Sequence, residues 1–194
     1  MAENFLENQE IAFEKKESIE AATLEQPSPK YKIGYLAALE EFQSEGRYLN
    51  ISKEELEKDF GAFIDRIPAM RMELNGVPET EYWLTRGDEY IGRLSIRHEL
   101  DEKLLLHGGH IGYAIRPSQR KKGYGKKALE LGLLETKKLG LDTVLVTCDS
   151  TNTASRRIIE SHTGVLENKV EGEPGKPTKL RFWIDIKSIT SQQS

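Results

Sequence analysis

His110-Ile-Gly-Tyr-Ala-Ile-Arg116-Pro-Ser-Gln-Arg120-Lys-Lys-Gly123-Tyr-Gly125 is the stretch from which the rest of the chain is read. Ile111 to Ile115 reads as a short strand. Pro117 ends it, because proline cannot donate to a ladder. The basic turn Arg120-Lys121-Lys122 follows and closes on Gly123-Tyr124-Gly125. The spacing then predicts a helix from about Tyr124 to Leu139. The first amides of a helix have no internal partner, and the helix dipole favours negative charge there. Two glycines let a phosphate approach the backbone with no Cβ in the way. The expected ligand therefore carries more than one phosphate.

Arg120-x-x-Gly123-x-Gly125 resembles the [Gln/Arg]-x-x-Gly-x-[Gly/Ala] acyl-CoA pyrophosphate loop of GNAT N-acetyltransferases. Strand, loop, helix and the downstream Asn152 come in that family's order, and the resemblance covers roughly Leu24 to Ile186. Arg97-His98-Glu99-Leu100, Gly108-Gly109-His110-Ile111-Gly112-Tyr113 and Thr147-Cys148-Asp149 resemble a bacterial subgroup of predicted acetyltransferases. The resemblance implies acetyl-CoA as cosubstrate, no metal, and direct attack by a primary amine. The acceptor would be a small molecule or a peptide.

The resemblance also assigns residues. The backbone at Lys121, Lys122, Gly123, Tyr124, Gly125 and Lys126 would hold the pyrophosphate. Arg120, Lys121, Lys122, Lys126 or Lys127 would meet the 3′-phosphate. Asn152 reads both as a plain helix N-cap and as a contact to the CoA arm, with Ser155 beside it. Backbone N–H groups at Tyr113, Ala114 and Ile115 would face the acetyl oxygen as it becomes tetrahedral. A tyrosine often stands seven residues after the asparagine in this family, as the acid for the departing thiolate. Ile159 holds that position here. For the base, His98, His107 and His110 flank or start the central strand, and imidazole titrates near neutral pH. His110 lies beside the position where many relatives carry a glutamate. Cys148 reads as core, and Asp149 as a cap or a site residue.

Other readings of the loop compete. Gly123-Tyr-Gly125-Lys-Lys-Ala128 fits a dinucleotide fingerprint, with Asp149 about 20 residues on. That turn must be tight, and here Pro117 to Lys122 separate strand from glycines. A P-loop needs a glycine five residues before Gly125-Lys126, and none is there. An acyl-CoA-binding module without turnover is the alternative function within the same fold.

The 194 residues suit one ordinary domain, with 31% charged and 37% hydrophobic residues. The net charge of −4 points to no nucleic-acid partner, although it fits a cationic amine. The single Cys148 suits a reducing compartment. No apolar run approaches the roughly 18 residues of a membrane span. Met-Ala-Glu-Asn does not begin a secretory leader. A cytoplasmic protein without membrane contact is expected, its oligomeric state open, a homodimer included.

Residues 1–20 read as a polar arm, with a weak strand alternation at Ile11 and Phe13. Residues 21–187 read as the acetyltransferase domain, and 188–194 as a polar tail. A first strand is expected near Ala22 to Gln26. A helix from Pro29 carries Tyr31, Tyr35, Leu39 and Phe42 and ends by Gly46. Ser52-Lys-Glu-Glu55 reads as a capping box opening a helix that stops near Ile67, before Pro68. Thr80 to Arg86 and Glu89 to Arg97 form a hairpin around Gly87-Asp88, so Arg86-Gly87-Asp88 reads as a turn and not as an adhesion tripeptide. A loop with Leu104-Leu105-Leu106 follows. Thr143 to Cys148 is a buried-type strand, Asn152 to His162 a short helix, Val165 to Glu171 and Leu180 to Ile186 the last strands. Hairpins followed by one strand–helix–strand crossover imply an α+β fold. Its sheet is central, mixed and mainly antiparallel, with flanking helices. The GNAT resemblance adds seven strands, with the two central parallel ones splayed apart.

Overall fold

The structure, a computed structural model, describes residues 16–172, 174–187 and 189, together with Gln9 and Phe13. The strand alternation read at Ile11 therefore lies outside the described residues.

Strand β1 (Thr23–Glu25) pairs with β2 (Glu79–Arg86), β2 with β3 (Glu89–Arg97), and β3 with β4 (Ile111–Ile115), all antiparallel. A second sheet has the order β5 (Thr143–Asp149), β7 (Lys179–Asp185), β6 (Val165–Val170), again antiparallel. The two sheets meet at one junction. His110 N–H donates to the Leu145 carbonyl at 2.7 Å, and Gly109 bridges Val146. Further along, the Tyr113 hydroxyl lies 3.0 Å from that of Ser155, which follows β5. The isolated Gly109–Val146 bridge is antiparallel and lies before β4 begins; past it, progress along β4 brings Tyr113 to the chain beyond the end of β5, the sense of a parallel pair. No ladder joins them beyond the junction among the described residues. The splayed central pair is present, and it divides the sheet into four strands and three.

Strand alternation sends side chains to two layers. Leu94, Ile96, Ile111, Ile115, Val144, Val146, Phe182 and Ile184 face one layer. There Ala128, Leu129 and Leu133 of helix α4 (Tyr124–Lys138) cover them, with Ile159 of α5 (Thr153–Ser161). On the opposite side Trp83, Tyr90 and Ala114 meet Leu36, Leu39 and Phe42 of α1 (Lys32–Ser44), Leu56 of α2 (Lys53–Lys58), and Phe60 and Ile67 of α3 (Phe60–Asn75).

Several elements differ from the sequence reading, each for a physical reason. The Ser52–Glu55 box caps only the short α2. Asp59 then starts a new helix, its carboxylate accepting from Ala62 N–H at 2.8 Å. That helix continues through Pro68, which is exposed, instead of stopping at Ile67. The loop at Leu104–Gly108 is a π-helical turn, opened by Asp101 accepting from Leu104 N–H at 2.7 Å. The end of the stretch read as an arm is not loose. Residues 16–20 are helical, and Ile19 packs against the core beside Leu24. From the stretch read as a tail, Ile189 also packs there.

Candidate active site

Arg116 N–H donates to the Ile91 carbonyl on β3 at 2.9 Å. Alternation along an antiparallel strand then turns the amides of Gly112 and Ala114 to β3 as well. Those of Tyr113 and Ile115 face the unladdered gap toward β5. The gap is therefore edged by strand amides without a ladder partner, of the kind an extended ligand arm can join.

At the end of β4 the chain makes a single 3₁₀ turn, Pro117–Gln119, and reaches the glycines. Lys121 at φ 61 and Gly123 at φ 103 are both in the left-handed region, which curls the backbone into a concave turn before α4. No side chain caps α4; Lys126 N–H donates to the Gly123 carbonyl at 3.0 Å, and the amides of Tyr124 and Gly125 before it are left for a ligand. Gly125 keeps the approach from the gap open. A Cβ there would lie 3.9 Å from both Ile115 Cγ1 and Tyr113 Cε2, and 2.8 Å from Ile158 Cδ1.

Around this turn Lys121 and Lys126 are exposed, and Lys122 Nζ donates to Gln119 at 2.9 Å. Lys127 pairs with Glu130 at 3.0 Å. Arg120 is placed differently from the phosphate role read for it. Its guanidinium forms a two-point pair with Glu45, at 2.6 and 2.8 Å, and its Nε donates to the Ile115 carbonyl at 3.1 Å. Glu41, one turn earlier on α1, accepts from Arg116 Nε at 2.7 Å, from Ser118 N–H at 2.9 Å and from Ser118 Oγ at 3.0 Å. Helix α1 thus pins the loop from beneath. Burial raises the Glu41 carboxyl, but the bonds from Ser118 and Arg116 outweigh it and hold it below the usual carboxylate range. A lowered carboxylate stabilises the fold fully at neutral pH and less on acidification through its lowered value. Glu41→Ala should cost about 1.5–3 kcal/mol in urea unfolding at pH 7, the range for hydrogen bonds to a charged group. The deficit should shrink in acid.

Asn152 caps α5, its side-chain oxygen accepting from Ser155 N–H at 3.0 Å. The Ser155 hydroxyl meets Tyr113 across the mouth of the gap. Burial, first, raises the Tyr113 phenol above its ordinary range, so it stays protonated at neutral pH. Ile159, at the family's tyrosine position, is fully buried in the core. Cys148 is buried too, and burial pushes its thiol up to about 11. Asp149 pairs with Lys179 at 2.5 Å across β5 and β7.

The three histidines separate cleanly. His98 is exposed, with Nε2 at 2.8 Å from the Thr80 hydroxyl. His110 is buried, and its Nδ1 accepts from Leu145 N–H at 2.9 Å. A lone pair used this way fixes the tautomer and joins the two sheets; it is not free for an amine. Burial, first, holds this imidazole below its ordinary range. A lowered histidine adds stability above the ordinary imidazole range and loses it as pH falls through the lowered value. His110→Ala should leave Leu145 N–H buried and unpaired, costing about 1–3 kcal/mol. Its acid-side loss of stability should be shallower than that of wild type. Both are read from urea unfolding across pH.

His107 is half-buried in the π-helical turn, and its Nδ1 is buried with no hydrogen-bond partner. Thr147 Oγ1 donates to the His107 carbonyl at 3.0 Å and shares the Gly108 carbonyl at 3.2 Å. Thr147 alternates with the core-facing Val146 and Cys148, so this turn lies on the face that α1–α3 cover in the other sheet. The turn was not legible as such in the sequence, because its apolar run has no helical period. Nor were Glu41 and Glu45 legible as the loop's partners, although they stand four apart on one helix face.

Among the described residues no group of histidine, cysteine, aspartate and glutamate has the arrangement of a metal site, and no helix is long and apolar enough to cross a membrane.

Residues 23–162 match the family model of the acetyltransferase (GNAT) domain. Among solved structures, Mycobacterium smegmatis RimJ in complex with CoA-disulfide is similar at 15% identity and TM-score 0.65, covering 88% of this chain and 84% of that one. A Salmonella typhimurium acetyltransferase that modifies the N-terminal serine of ribosomal protein L7/L12 is 16% identical, with TM-score 0.58 and coverage of 84% and 94%. A chimera of the spermidine N-acetyltransferase SpeG from Vibrio cholerae and hSSAT is 15% identical, with TM-score 0.59 and coverage of 85% and 95%. Among curated proteins, none matches this sequence.

Proposed function

Because the chain belongs to the GNAT acetyltransferase family, we propose that it transfers the acetyl group of acetyl-CoA to a primary amine by direct attack. The observation that carries the reading is the gap between β4 and β5, edged by free amides and ending at the uncapped start of α4. The pyrophosphate would bind the amides of residues 121–125, with the exposed Lys121 and Lys126 side chains near enough to meet the 3′-phosphate. The pantetheine arm would run along β4 and pass Ser155. The amides of Tyr113 and Ile115 would then receive the arm and the carbonyl oxygen.

In the reaction the neutral amine nitrogen attacks the thioester carbonyl carbon and the C–N bond forms. The C–S bond then breaks, its electron pair leaving with sulfur. The amine loses one proton and the thiolate gains one, giving an N-acetyl amine and CoA. His107 is our candidate base, since its Nδ1 is buried and lacks a hydrogen-bond partner. The Tyr113 phenol, kept protonated and bonded to Ser155, is our candidate donor to the thiolate in place of the tyrosine replaced by Ile159.

A thermal-shift panel tests the ligand class. Acetyl-CoA and CoA should raise the melting temperature, and NAD and ATP should not. Release of free thiol with an amine panel tests turnover. Stabilisation without release on any amine would leave a binding module, and stabilisation by NAD alone would exclude the acetyltransferase reading.

A further inference from the structure

A cavity of about 770 Å³ opens between α1, α2, α3 and strands β2 and β3. Its walls include Tyr35, Phe42, Phe63 and Tyr90. Its floor is charged. Glu79 and Glu81 on β2, and Arg93 and Arg97 on β3, alternate with residues of the other layer and so point to this side. Arg71 of α3 reaches down among them. It pairs with Glu81 and lies 3.5 Å from Glu79. Arg97 lies 3.2 Å from Glu79. In this cluster, of which Arg71, Glu81 and Arg93 line the cavity, three guanidiniums share two carboxylates, leaving one positive charge over, while the rim adds Glu55 and Asp59 against Arg66.

The surplus falls on Arg93. Its distance to Glu81 is 3.7 Å, and its contacts to the Tyr48 hydroxyl are 3.4 and 3.3 Å, the long limit for a hydrogen bond. Arg93 and Tyr48 both line the cavity. Tyr48 is held at φ 54, a left-handed conformation costly for a tyrosine. Burial raises its phenol, but Arg93 and Arg47 outweigh this and bring it below the ordinary range, the mark of a positive local potential. The other charges on the wall are at the rim: Glu55, Asp59 and Arg66 are exposed, and Asp59 already caps α3.

Arg93 is also the cross-strand partner of Ala114. It therefore stands beside the stretch of β4 where the acetyl group is expected. The adjoining Gly112 offers no side chain on this face, and a Cβ there would meet Ser95 and Arg97.

We propose that this cavity is the acceptor site, and that it takes an amine carrying a carboxylate on an apolar body. Arg93 and the Tyr48 hydroxyl receive the carboxylate, and the aromatic wall receives the body. The acceptor class is thus opposite in charge to the one the net charge of the chain suggests. The proposal rests on the acetyltransferase reading for the identity of the reacting group, but its test does not depend on turnover.

The CoA complex is titrated calorimetrically with matched pairs of products: N-acetylphenylalanine and its carboxamide, N-acetylleucine and its carboxamide. The carboxylates should bind at least about tenfold more tightly, as expected of a charge-assisted bond to arginine. Arg93→Met should abolish the preference and Tyr48→Phe should reduce it. Arg93→Lys, which keeps the charge beside Glu81, should retain part of it. CoA affinity in the same titrations reports that each variant is folded. Equal binding within both pairs, a preference that survives Arg93→Met, or tighter binding of spermidine than of either carboxylate would overturn the proposal. Thiol release from acetyl-CoA is measured in parallel. A carboxylate preference without release on any amine would refute the acetyltransferase reading and leave the cavity assignment standing. Release on carboxamides and diamines with no preference would do the reverse.

Discussion

Gly125→Asp should lose acetyl-CoA binding while the protein stays folded. Gly125 stands in the first turn of α4, at the mouth of the gap. The nearest atom to a new Cβ is the tip of Ile158, a side chain able to turn away, and the contacts to Ile115 and Tyr113 are ordinary. A carboxylate at a helix N-terminus favours the helix through its dipole, so stability should hold or rise. The same carboxylate would fill and neutralise the place read for the pyrophosphate. Like charges brought together cost several kcal/mol, so Kd should rise by at least about 100-fold. Gly125→Ala adds the Cβ alone and should weaken binding far less. Calorimetry with a melting curve on each variant separates charge from misfolding. Wild-type affinity in Gly125→Asp would remove the phosphate from the start of α4.

The second large effect is expected at His107. His107→Ala should lower kcat by roughly 10²–10⁴-fold, the usual contribution of a general base. The affinity for CoA should not change, because the proposed phosphate site follows β4 whereas His107 precedes it. Stability should change little, since Nδ1 makes no hydrogen bond that could be lost. His110→Ala should show the opposite profile, with a stability loss as its main effect. The rise of the wild-type rate with pH that a general base produces should be lost in His107→Ala. A kcat within about threefold of wild type would assign His107 a structural role and leave the amine to react from its neutral fraction.

The strand–turn–helix from Ile111 to Lys138 was legible because each signal in it is local. A proline stop, two glycines and a helical period need no knowledge of the rest of the chain. The splay of β4 from β5 came from the family resemblance, and the sheet pairing bears it out. What was not legible depended on distant partners. His110 could be seen to sit beside the central strand, but not that Leu145 N–H would claim its Nδ1. Arg120 was read as a phosphate contact from the loop motif, and its pairing with Glu45, 75 positions away, could not be read there. The capping box at Ser52 was read correctly, but the length of its helix was not, because Asp59 supplies a second start. Arg93 carried no signal at all, since a single arginine in a hairpin strand is ordinary until its face is known.

Hydrogen–deuterium exchange with and without acetyl-CoA tests the central claim most directly. Tyr113 and Ile115 carry strand amides that face the gap with no ladder partner, so they should exchange readily in the free protein. On adding acetyl-CoA, peptides covering residues 111–116 and 121–126 should become protected together, while β6 and the exposed end of α3 stay unchanged. Protection of 121–126 without 111–116 would place the phosphates but not the acyl arm. Protection of neither, with acetyl-CoA bound, would contradict the account.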